Sequence, residues 1–486
     1  MKLSMLLKPF EIQVTEDCEI TGLHNDSRQI NPGYLFIAYK GELADGRQYI
    51  SKAIEAGAKA IVYDPVNCSE DSFPSGSVPI IPFPEVSNYL GQLSSIFFGE
   101  PVKALDITGI TGTNGKTTIA YMLTQAYAFL GDATAYIGTL GHGAIDAMQP
   151  LQNTTPDGLV LHQLFNQYKH EGVKQVCMEV SSHALSLNRV DKVKFDTAVF
   201  TNLSHEHLDF HHTFEAYANA KARLFAWPGL KFAVINADDA HSELMKSKLR
   251  PDCKLITYGV REKSDVAAKD IRLSVTGSSF TIVSQWGDFP LTIKVIGLFN
   301  IYNALAVFSC LMVNGYSSVM VLDVMSKLEA VPGRMKVVSQ SPGILVDFAH
   351  TPDALDNALS TLTELKTGRI ITVFGCGGER DKEKRPIMGK IASQYSDVLI
   401  ITSDNPRRED PLDIINQIEA GVAKEDTYVL SIINRKEAIE KAISMAEADD
   451  MILIAGKGHE SYQQIGLERF DFSDQNIVEK ILSAKA

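Results

Sequence analysis

Length, composition and charge exclude several classes of protein at the outset. The chain has 486 residues, of which 45% are hydrophobic and 22% are charged, proportions of a folded globular protein rather than a disordered or fibrous one. At roughly 100 to 200 residues per domain, this length predicts about three compact units. The formal net charge of -13 argues against a general nucleic-acid binder, which relies on a basic surface, so an anionic ligand would have to bind at a local basic site.

The spacing of the cysteines and the length of the hydrophobic runs indicate the cellular compartment. The 6 cysteines lie far apart without a C-x-x-C pair, which predicts reduced thiols. No stretch approaches the roughly 18 to 20 uncharged apolar residues that cross a bilayer, and the N-terminal residues lack a long apolar run followed by a small-residue cleavage site. We therefore expect a cytoplasmic protein that does not insert into a membrane.

Residues 1–100 combine short strand patterns with a helical one. The runs "GYLFIAY", "AKAIVYD" and "SVPIIPF" favour strands, and "YISKAIEAG" favours a helix. The segment ends in "FFGEPVKAL", where glycine and proline indicate a boundary. We predict a first domain over residues 1–100.

Residues 101–332 alternate apolar runs with helix-length segments. The runs "ALDITGI", "VKQVCMEV", "FDTAVFTNL" and "KFAVINADD" are apolar almost throughout, which is typical of a mainly parallel sheet covered on both faces. A β-rich piece and the helical pattern "FNIYNALAVFSCLMVNG" complete this second domain. Within it, "EAYANAKARLFAWPG" predicts one amphipathic helix with Lys221 midway, where a solvated lysine would be the ordinary interpretation.

A proline-glycine break in "AVPGRMKVV" begins the third predicted domain, residues 333–486. Its runs "GILVDFA", "RIITVFG", "DVLIITSD" and "DMILIAG" again alternate with helix-sized segments. The predicted fold class is therefore α/β with three domains.

The stretch "DITGITGTNGKTTIAYML", residues 106–123, predicts a phosphate site. It departs from the pattern G-x-x-x-x-G-K-[ST] only at Ile110, where the first glycine belongs. The glycines let backbone N–H groups point inward, Lys116 adds a mobile positive charge, and the following helix adds its N-terminal dipole. With a hydroxyl from Thr117 for Mg²⁺, the loop is suited to a nucleoside triphosphate.

A carboxylate and several histidines follow the next two strands. Glu179 lies near the end of "VKQVCMEV", and "TNLSHEHLDFHH" follows "FDTAVF", so both should lie at the carboxyl edge of the sheet beside the phosphate loop. Because Mg²⁺ prefers oxygen ligands, Glu179 is the better candidate. Taken singly, the histidines are surface or hydrogen-bonding residues, but their clustering leaves a zinc site open. They are His205, His207, His211 and His212.

Taken together, these motifs resemble those of the Mur ligase family, ATP-dependent enzymes that add amino acids to the UDP-linked peptide precursor of the bacterial cell wall. The resemblance spans the chain and rests on "GITGTNGKTT", "NTTP", "MEVSSHAL", "TNLSHEHLDFH", "KARLF", "GLFNIYNALA", "PGRM", "DFAHTPDAL", "GGERDKEKRP", "SDNPRRED" and "GKGHE". It is greatest to the members that add meso-diaminopimelate to UDP-N-acetylmuramoyl-L-alanyl-D-glutamate. It implies a mixed α/β UDP-binding domain, a central P-loop ATPase domain and a Rossmann-like amino-acid-binding domain.

The resemblance also implies a reaction and its cofactors. The γ-phosphate of ATP passes to a substrate carboxylate with the help of Mg²⁺, and an amine then attacks the acyl phosphate. This reaction belongs to peptidoglycan precursor synthesis, and through it to cell shape and division. We expect the enzyme to act as a monomer, without nucleic acid.

Site residues follow from the resemblance motif by motif. The ATP site comprises Gly112, Thr113, Asn114, Gly115, Lys116, Thr117, Thr118, Asn300, Asn303, Arg334, Asp347 and His350. The catalytic residues are Lys116, Glu179, His207 and Lys221. The metal ligands are Thr117, Glu179, His207 and Lys221, the last as a carbamate (N6-carboxylysine). The UDP-muramoyl-dipeptide site comprises Ser27, Arg47, Asn153, Thr154, Thr155, Ser181, Arg189 and Lys221. Glu42 and Leu43 depart from the polar pair of close relatives on the uracil side.

The third domain should bind the amino acid. Three of its apolar runs end in polar loops, so the side chains of Arg380, Asn405, Arg407 and Glu460 should converge. Arginine forks suit a carboxylate and Glu460 suits an ammonium, as a zwitterion requires. Asp404, Pro406 and Gly456 complete the predicted diaminopimelate site, and Arg408 should be solvated. Because diaminopimelate is lysine with an extra carboxylate, an unpaired Arg407 should disfavour lysine.

Three alternatives stay open at the level of sequence. A lysine-adding homologue would share most motifs. A ligase similar to folylpolyglutamate synthase would have the same architecture, although its loop usually reads "GTNGKGS" where this chain reads "GTNGKTT". A P-loop ATPase switch would turn over nucleotide without any amino-acid requirement.

Overall fold

A computed structural model describes residues 1–41, 44–68, 73–74, 76, 78–423 and 426–485. It confirms an α/β fold built of parallel-rich sheets. Among these residues, no helix combines the length and the apolar character needed to cross a membrane.

The first hundred residues form short strands and helices. In chain order they are α1 Leu3–Leu7, β1 Gly22–His24, β2 Tyr34–Ala38, α2 Ile50–Glu55, β3 Ala60–Tyr63, β4 Ile80–Pro82 and α3 Leu90–Phe97.

The middle of the chain begins with alternating strands and helices and continues with a β-meander. Its first part comprises β5 Asp106–Thr111, α4 Lys116–Phe129, β6 Thr134–Gly138, β7 Gly141–Gly143, α5 Gly158–His170, β8 Gln175–Glu179, α6 Ser182–Ser186, β9 Thr197–Phe200, α7 Leu208–His211 and α8 Phe214–Ala222. Its second part comprises β10 Phe232–Asn236, α9 Ser242–Lys246, β11 Lys254–Gly259, β12 Val266–Ser274, β13 Gly277–Ser284, β14 Gly287–Ile293, α10 Leu298–Val313 and α11 Ser318–Lys327.

The last part of the chain again alternates strands and helices. It comprises β15 Lys336–Gln340, β16 Gly343–Asp347, α12 Pro352–Leu365, β17 Ile370–Phe374, α13 Lys384–Tyr395, β18 Val398–Thr402, α14 Pro411–Glu419, β19 Tyr428–Ile432, α15 Arg435–Met445, β20 Met451–Ala455, β21 Tyr462–Ile465, β22 Glu468–Asp471 and α16 Asp474–Lys485.

The chain divides into two compact units. Unit one contains Met1–Thr111, Asp132–Ala198 and Ala220–Lys231. In it, β1 to β4 form a parallel sheet in that order. A second set of strands runs β7-β6-β8-β5, in which β6, β8 and β5 are parallel and β7 is antiparallel to β6.

Unit two contains Gly112–Gly131, Val199–Asn219 and Phe232–Ala486. Strands β10, β11 and β12 pair in parallel, and β13 and β14 extend them as an antiparallel meander. A six-stranded sheet has the order β15-β16-β20-β17-β18-β19, parallel except for β15.

The apolar strand runs of the six-stranded sheet are explained by burial on both faces. Ile370 and Phe374 of β17 pack into one hydrophobic cluster, whereas Ile371 and Val373 pack into another. Since successive side chains of a strand point to opposite faces, both faces of β17 are covered, and an uninterrupted apolar run results.

One predicted helix is shorter than expected. α8 ends at Ala222, and a 3₁₀ helix, Arg223–Ala226, follows it. Lys221 therefore lies in the last turn of α8 rather than midway along a longer helix. The predicted domain boundaries near residues 100 and 332 stay predictions.

Candidate functional site

The loop between β5 and α4 contains two glycines that no other residue could replace without strain. Gly112 has φ 147° and Gly115 has φ 87°, both in the region that favours glycine. A Cβ on Gly112 would lie 1.8 Å from Thr201 Oγ1, and one on Gly115 would lie 2.7 Å from Asn303 Oδ1. The loop backbone is therefore packed directly against two other segments of unit two.

Lys116 begins α4, and its side chain folds back over the loop. Its Nζ donates to Gly112 O at 2.9 Å and to Thr113 O at 2.8 Å. The next two residues, Thr117 and Thr118, are buried. The ammonium group and the N-terminus of α4 together supply positive charge for an anion at this loop.

The segment after β9 holds the phosphate loop in shape. Asn202 O accepts from Thr113 N at 2.8 Å, and Asn202 Oδ1 accepts from Asn114 N at 2.9 Å. Thr201 Oγ1 donates to Asn114 O at 2.6 Å, and the Thr113 hydroxyl lies 2.9 Å from Tyr217 Oη. These bonds fix the loop before any ligand binds.

Residues beyond Gly333 contact the same loop. Arg334 Nη2 donates to Thr117 Oγ1 at 3.4 Å, and Asn114 Nδ2 donates to Asp353 Oδ2 at 2.5 Å. The Arg334 guanidinium also stacks over the Phe348 ring at 4.3 Å. The predicted ATP residue Arg334 is thus next to the phosphate loop.

Asp347 and His350 lie just after β16. Asp347 accepts from Met335 N at 2.6 Å and from Ala349 N at 2.7 Å. Burial raises the pKa of Asp347 above its ordinary value, although Arg334 acts in the opposite direction. Partial burial and the Lys384 ammonium lower the pKa of His350 to about 4. His350 Nε2 lies 3.8 Å from a Glu206 carboxylate oxygen.

Asn300 and Asn303 form a buried pair on α10. Asn300 Nδ2 donates to Ile296 O at 2.8 Å, and Asn303 Nδ2 donates to Asn300 Oδ1 at 3.0 Å. This pairing directs Asn303 Oδ1 toward Gly115. The structure places Asn303 at the loop, and the adenine contacts of both residues stay a prediction.

In unit one, Glu179 ends β8 beside Ile110 of β5 and is buried. Its Oε1 accepts from Tyr136 Oη at 2.5 Å and from Thr139 N at 2.9 Å, and its Oε2 accepts from Thr139 Oγ1 at 3.2 Å. A carboxylate accepts about four hydrogen bonds, so Oε2 retains capacity for a further partner.

Four of the predicted dipeptide residues lie near Glu179. Thr155 Oγ1 donates to Glu179 O at 2.8 Å and accepts from Ser181 N at 3.1 Å. Arg189 Nη1 donates to Thr155 O at 3.4 Å, and Thr154 Oγ1 lies 3.2 Å from Thr139 Oγ1. Asn153, which precedes them, is exposed.

A second polar group from the N-terminal part of the chain adjoins this cluster. Asn25 Nδ2 donates to Tyr39 Oη at 3.0 Å and to Asp157 Oδ2 at 3.3 Å. Burial raises the pKa of Tyr39 to about 12, an effect that Asp157 reinforces and Arg189 opposes. Tyr39 and Asp157 therefore lie within electrostatic reach of Arg189.

Two predicted uridine-side residues have different surroundings. Ser27 is half-buried and begins a 3₁₀ turn, Ser27–Gln29, whose other two residues are exposed. Arg47 is engaged by Asp45, at 2.9 and 2.7 Å, and by the carbonyls of Asp64 and Val66. The guanidinium of Arg47 thus ties its own loop together. Glu42 and Leu43 lie outside the described residues.

The remaining predicted metal ligands are in different environments. Lys221 is only 1% exposed. His207 has φ 57°, and its Nε2 lies 3.6 Å from Glu206 Oε2. Across the described ranges, no group of three or more His, Cys, Asp or Glu residues could hold a metal ion, which is what a zinc site would need. Mg²⁺ bound with a nucleotide needs only one or two protein oxygens, so the prediction of magnesium does not depend on such a group.

The predicted acceptor residues converge, as the strand-end rule predicts. Asn405 Nδ2 donates to Glu460 Oε2 at 2.9 Å, and Arg407 Nη1 donates to Gly378 O at 2.6 Å. Burial lowers the pKa of Arg407, and the positive charge of Arg380 acts in the same direction. Asp404 lies against Gly456, Pro406 is buried and Arg408 is exposed.

Two buried cations at this edge were not singled out from the sequence. Lys457 Nζ donates to Asn405 Oδ1 at 3.0 Å and to Glu460 Oε2 at 2.9 Å. Arg385 donates to both oxygens of Glu409, at 2.9 and 3.1 Å, and to Gly377 O at 3.2 Å. The only sequence signal was their place in the quoted motifs "GKGHE" and "GGERDKEKRP".

Comparison with known proteins shows the family of this chain. Three family models match: "Mur ligase family, catalytic domain" over residues 19–98, "Mur ligase middle domain" over residues 110–311, and "Mur ligase, glutamate ligase domain" over residues 333–458. The chain belongs to the Mur ligase family.

Several full-length relatives of this Mur ligase carry the same name. The proteins of Geobacillus thermodenitrificans and Coxiella burnetii are 41% and 43% identical to it, over 98% and 99% of both chains. Each is named UDP-N-acetylmuramoyl-L-alanyl-D-glutamate--2,6-diaminopimelate ligase. A solved structure with the same name is 34% identical, has a TM-score of 0.71 and covers 99% of each chain. The Thermotoga maritima MurF ligase, solved with ADP, is 18% identical with a TM-score of 0.68, covers 96% of this chain and 98% of its own, and shows the fold alone.

The sequence analysis of this Mur ligase also missed residues that reach the site through tertiary contacts. They are Thr201, Asn202 and Asp353 at the phosphate loop, Tyr136 and Thr139 at Glu179, and Asn25, Tyr39 and Asp157 near Arg189. For Thr201, Asn202 and Asp353, position within the motifs "TNLSHEH" and "TPDAL" was the available signal.

Proposed function

We propose that this Mur ligase joins meso-diaminopimelate to the γ-carboxylate of D-glutamate in UDP-N-acetylmuramoyl-L-alanyl-D-glutamate, using ATP. The observation that carries the proposal is the similarity, over nearly the whole chain, to relatives that bear this activity in their names. The cluster of Arg380, Arg407 and Glu460 supports it independently, because it offers both charges that a zwitterionic amino acid requires.

The reaction requires activation of a carboxylate. An oxygen of the γ-carboxylate attacks the γ-phosphorus of ATP, the bond to the bridging oxygen breaks, and ADP leaves. The amine of diaminopimelate then attacks the acyl carbon, phosphate departs with the former carboxylate oxygen, and the nitrogen loses a proton. The protein contributes alignment and charge neutralisation, since an anionic carboxylate is a poor electrophile before activation.

At the nucleotide end, the backbone of residues 112–118 would hold the phosphates, with Lys116 on the β- and γ-oxygens. Support comes from the glycine geometry and from the contact between Arg334 and Thr117. Asn300, Asn303, Asp347 and His350 would surround the rest of the nucleotide.

Mg²⁺, when bound, would offset the negative charge that develops during phosphoryl transfer. Thr117 and Glu179 would offer it oxygen ligands, and His207 would assist. Lys221 would join them as a carbamate, formed when its neutral amine adds to CO₂ and loses a proton. The burial of Lys221 supports this, because burial favours the neutral amine of a lysine.

The UDP-muramoyl-dipeptide would bind along the cluster of unit one, where Thr155, Ser181 and Arg189 are already linked by hydrogen bonds. Asn153, Thr154 and Lys221 would extend this surface, and Ser27 and Arg47 would lie on the uridine side. Because ATP is a cytoplasmic co-substrate, we place the reaction in the cytoplasm, with a monomer as the working form.

A ligation assay tests the proposal. The purified chain is given ATP, Mg²⁺ and the UDP-muramoyl-dipeptide with meso-diaminopimelate, L-lysine or L-glutamate, and both phosphate and the new amide are measured. We expect phosphate release to require both co-substrates, and amide formation to be greatest with diaminopimelate. Phosphate release without an acceptor, or a preference for lysine or glutamate, would replace the proposal with one of the alternatives above.

A further inference from the structure

Lys457 lies beside the predicted acceptor residues Arg380, Asn405, Arg407 and Glu460, here called the acceptor cluster, and has no access to solvent. Its side chain is 0% exposed, its Nζ bonds Asn405 Oδ1 and Glu460 Oε2, and it lies 5.6 Å from the centre of the Tyr462 ring. A fully buried lysine is rare unless its charge is paired. Here the partners are two residues of the predicted diaminopimelate site.

The ammonium fixes the orientation of the Asn405 amide. Because an ammonium only donates, the atom of Asn405 that faces Lys457 must be the oxygen. The same oxygen accepts from Gln464 N at 2.9 Å. The NH₂ group must then face Glu460 Oε2, which it does at 2.9 Å.

The same bonds orient the carboxylate of Glu460. Both Lys457 and Asn405 bind Oε2, so two donors hold one oxygen. Among the hydrogen bonds of the described residues, none uses Oε1 of Glu460. Oε1 is therefore the oxygen that can accept from the ammonium group of an amino acid.

Lys457 also decides the charge balance of the cluster. The cations Arg380, Arg407 and Lys457 accompany the anions Asp404 and Glu460, which leaves one positive charge in excess. The nearby Arg435 is neutralised by a bidentate bond to Asp474. A site with excess positive charge disfavours L-lysine, which carries a net positive charge, relative to diaminopimelate, which carries none.

We propose that Lys457 is a positioning and specificity-determining residue: it orients Asn405 and Glu460 toward the ammonium of the acceptor amino acid and supplies the positive charge that discriminates against L-lysine. This inference rests on the proposed function and assigns to Lys457 a role in the choice of acceptor.

The test compares the full chain with its Lys457→Met variant, which keeps a similar length and removes the charge. We expect kcat/KM for diaminopimelate to fall about a hundredfold, because a buried charge pair is broken, with KM for ATP changed less than about threefold. The ratio of kcat/KM for diaminopimelate to that for L-lysine should fall about tenfold, as expected for one unit charge several ångströms away. A purely structural defect would lower both values in proportion.

Lys436→Met is the matched control. Lys436 also pairs with a glutamate, Glu440 at 3.6 Å, but its side chain is 62% exposed. Its replacement should leave the ratio and both kcat/KM values unchanged. An unchanged ratio in a folded Lys457→Met variant would overturn the inference.

A second variant tests the inference if the first does not fold. Asn405→Asp keeps Lys457 but removes the donor to Glu460 and makes cations and anions equal in number. If Lys457→Met shows no cooperative melting transition, the decision passes to Asn405→Asp, for which the same tenfold fall in the ratio is expected and an unchanged ratio is contrary. Failure of the wild-type chain to use diaminopimelate would instead refute the proposed function.

Discussion

The phosphate loop depends on the missing Cβ atom of Gly112. Replacement by alanine would place a carbon 1.8 Å from Thr201 Oγ1, whose hydroxyl holds Asn114 O. We expect Gly112→Ala to displace the loop and to raise KM for ATP at least about thirtyfold, since several loop amides would lose alignment with the phosphates. Steady-state kinetics with varied ATP measures this.

Gly131 provides the control for backbone strain. It also has a positive φ, 93°, but an added Cβ there would meet nothing within 4 Å. Gly131→Ala should therefore cost about 1 to 2 kcal/mol of stability from the left-handed backbone, without a change in KM for ATP. Equal effects of the two substitutions on KM would contradict the role of the close contact at Gly112.

At the residue level, the sequence predicted an anion site at the phosphate loop but not the hydrogen bonds that hold the loop in place. The identities of Lys116 and Thr117 and their place before a helix were enough to predict an anion site. Asn114 donates to Asn202 and to Asp353, which lie about 90 and 240 residues away in the chain, and only the fold brings them together. Lys457 was missed for a related reason, because a lysine in a glycine-rich loop is usually solvated.

Two loops of the acceptor cluster are tied by one ion pair. Arg385 is buried and bonds Glu409 in the loop after β18 and Gly377 O in the loop after β17. This pairing lowers the pKa of Glu409 to about 2. Because the folded-state pKa lies below the unfolded value of about 4.3, the pair stabilises the fold above that pH and loses its effect as pH falls toward 2.

We therefore expect Glu409→Gln to change the acid dependence of stability. Urea midpoints measured from pH 7 to pH 3.5 should fall with acidification in the wild type, and less steeply in the variant because one titrating carboxylate is gone. Below about pH 4.3 the difference between the two should narrow. Glu440→Gln, at a mostly exposed ion pair, is the control and should follow the wild type. Parallel curves for wild type and Glu409→Gln would refute the assignment.

Among the elements, strands were predicted better than the helix that carries Lys221. Strands such as β17 are buried on both faces, and burial leaves a direct apolar record in the sequence. The end of α8 leaves a weaker record. Arg223, just past that end, donates to Leu185 O and to Asn188 Oδ1, and Pro228 disfavours helical backbone at Trp227. The polar contact of Arg223, which only the fold reveals, accompanies the end of the helix.

Across unit two, three distant stretches of the chain meet at the phosphate loop. The segment after β9 contributes Asn202, the residue after Gly333 contributes the Arg334 contact with Thr117, and the start of α12 contributes Asp353. A nucleotide bound at the loop would face a surface to which the last third of the chain already contributes. Nucleotide binding should therefore stabilise residues 333–353 as well as the loop.

Hydrogen exchange with and without a non-hydrolysable ATP analogue measures this coupling. In the wild type we expect slower exchange on nucleotide binding both in residues 112–118 and in residues 333–353, and no change in α16, which serves as the internal reference. Arg334→Met removes the contact with Thr117 and the stacking on Phe348. The variant should keep the protection of residues 112–118 at saturating analogue and lose most of that in residues 333–353, since the guanidinium links the two. Protection confined to residues 112–118 in the wild type would show that the contacts around Arg334 do not respond to nucleotide.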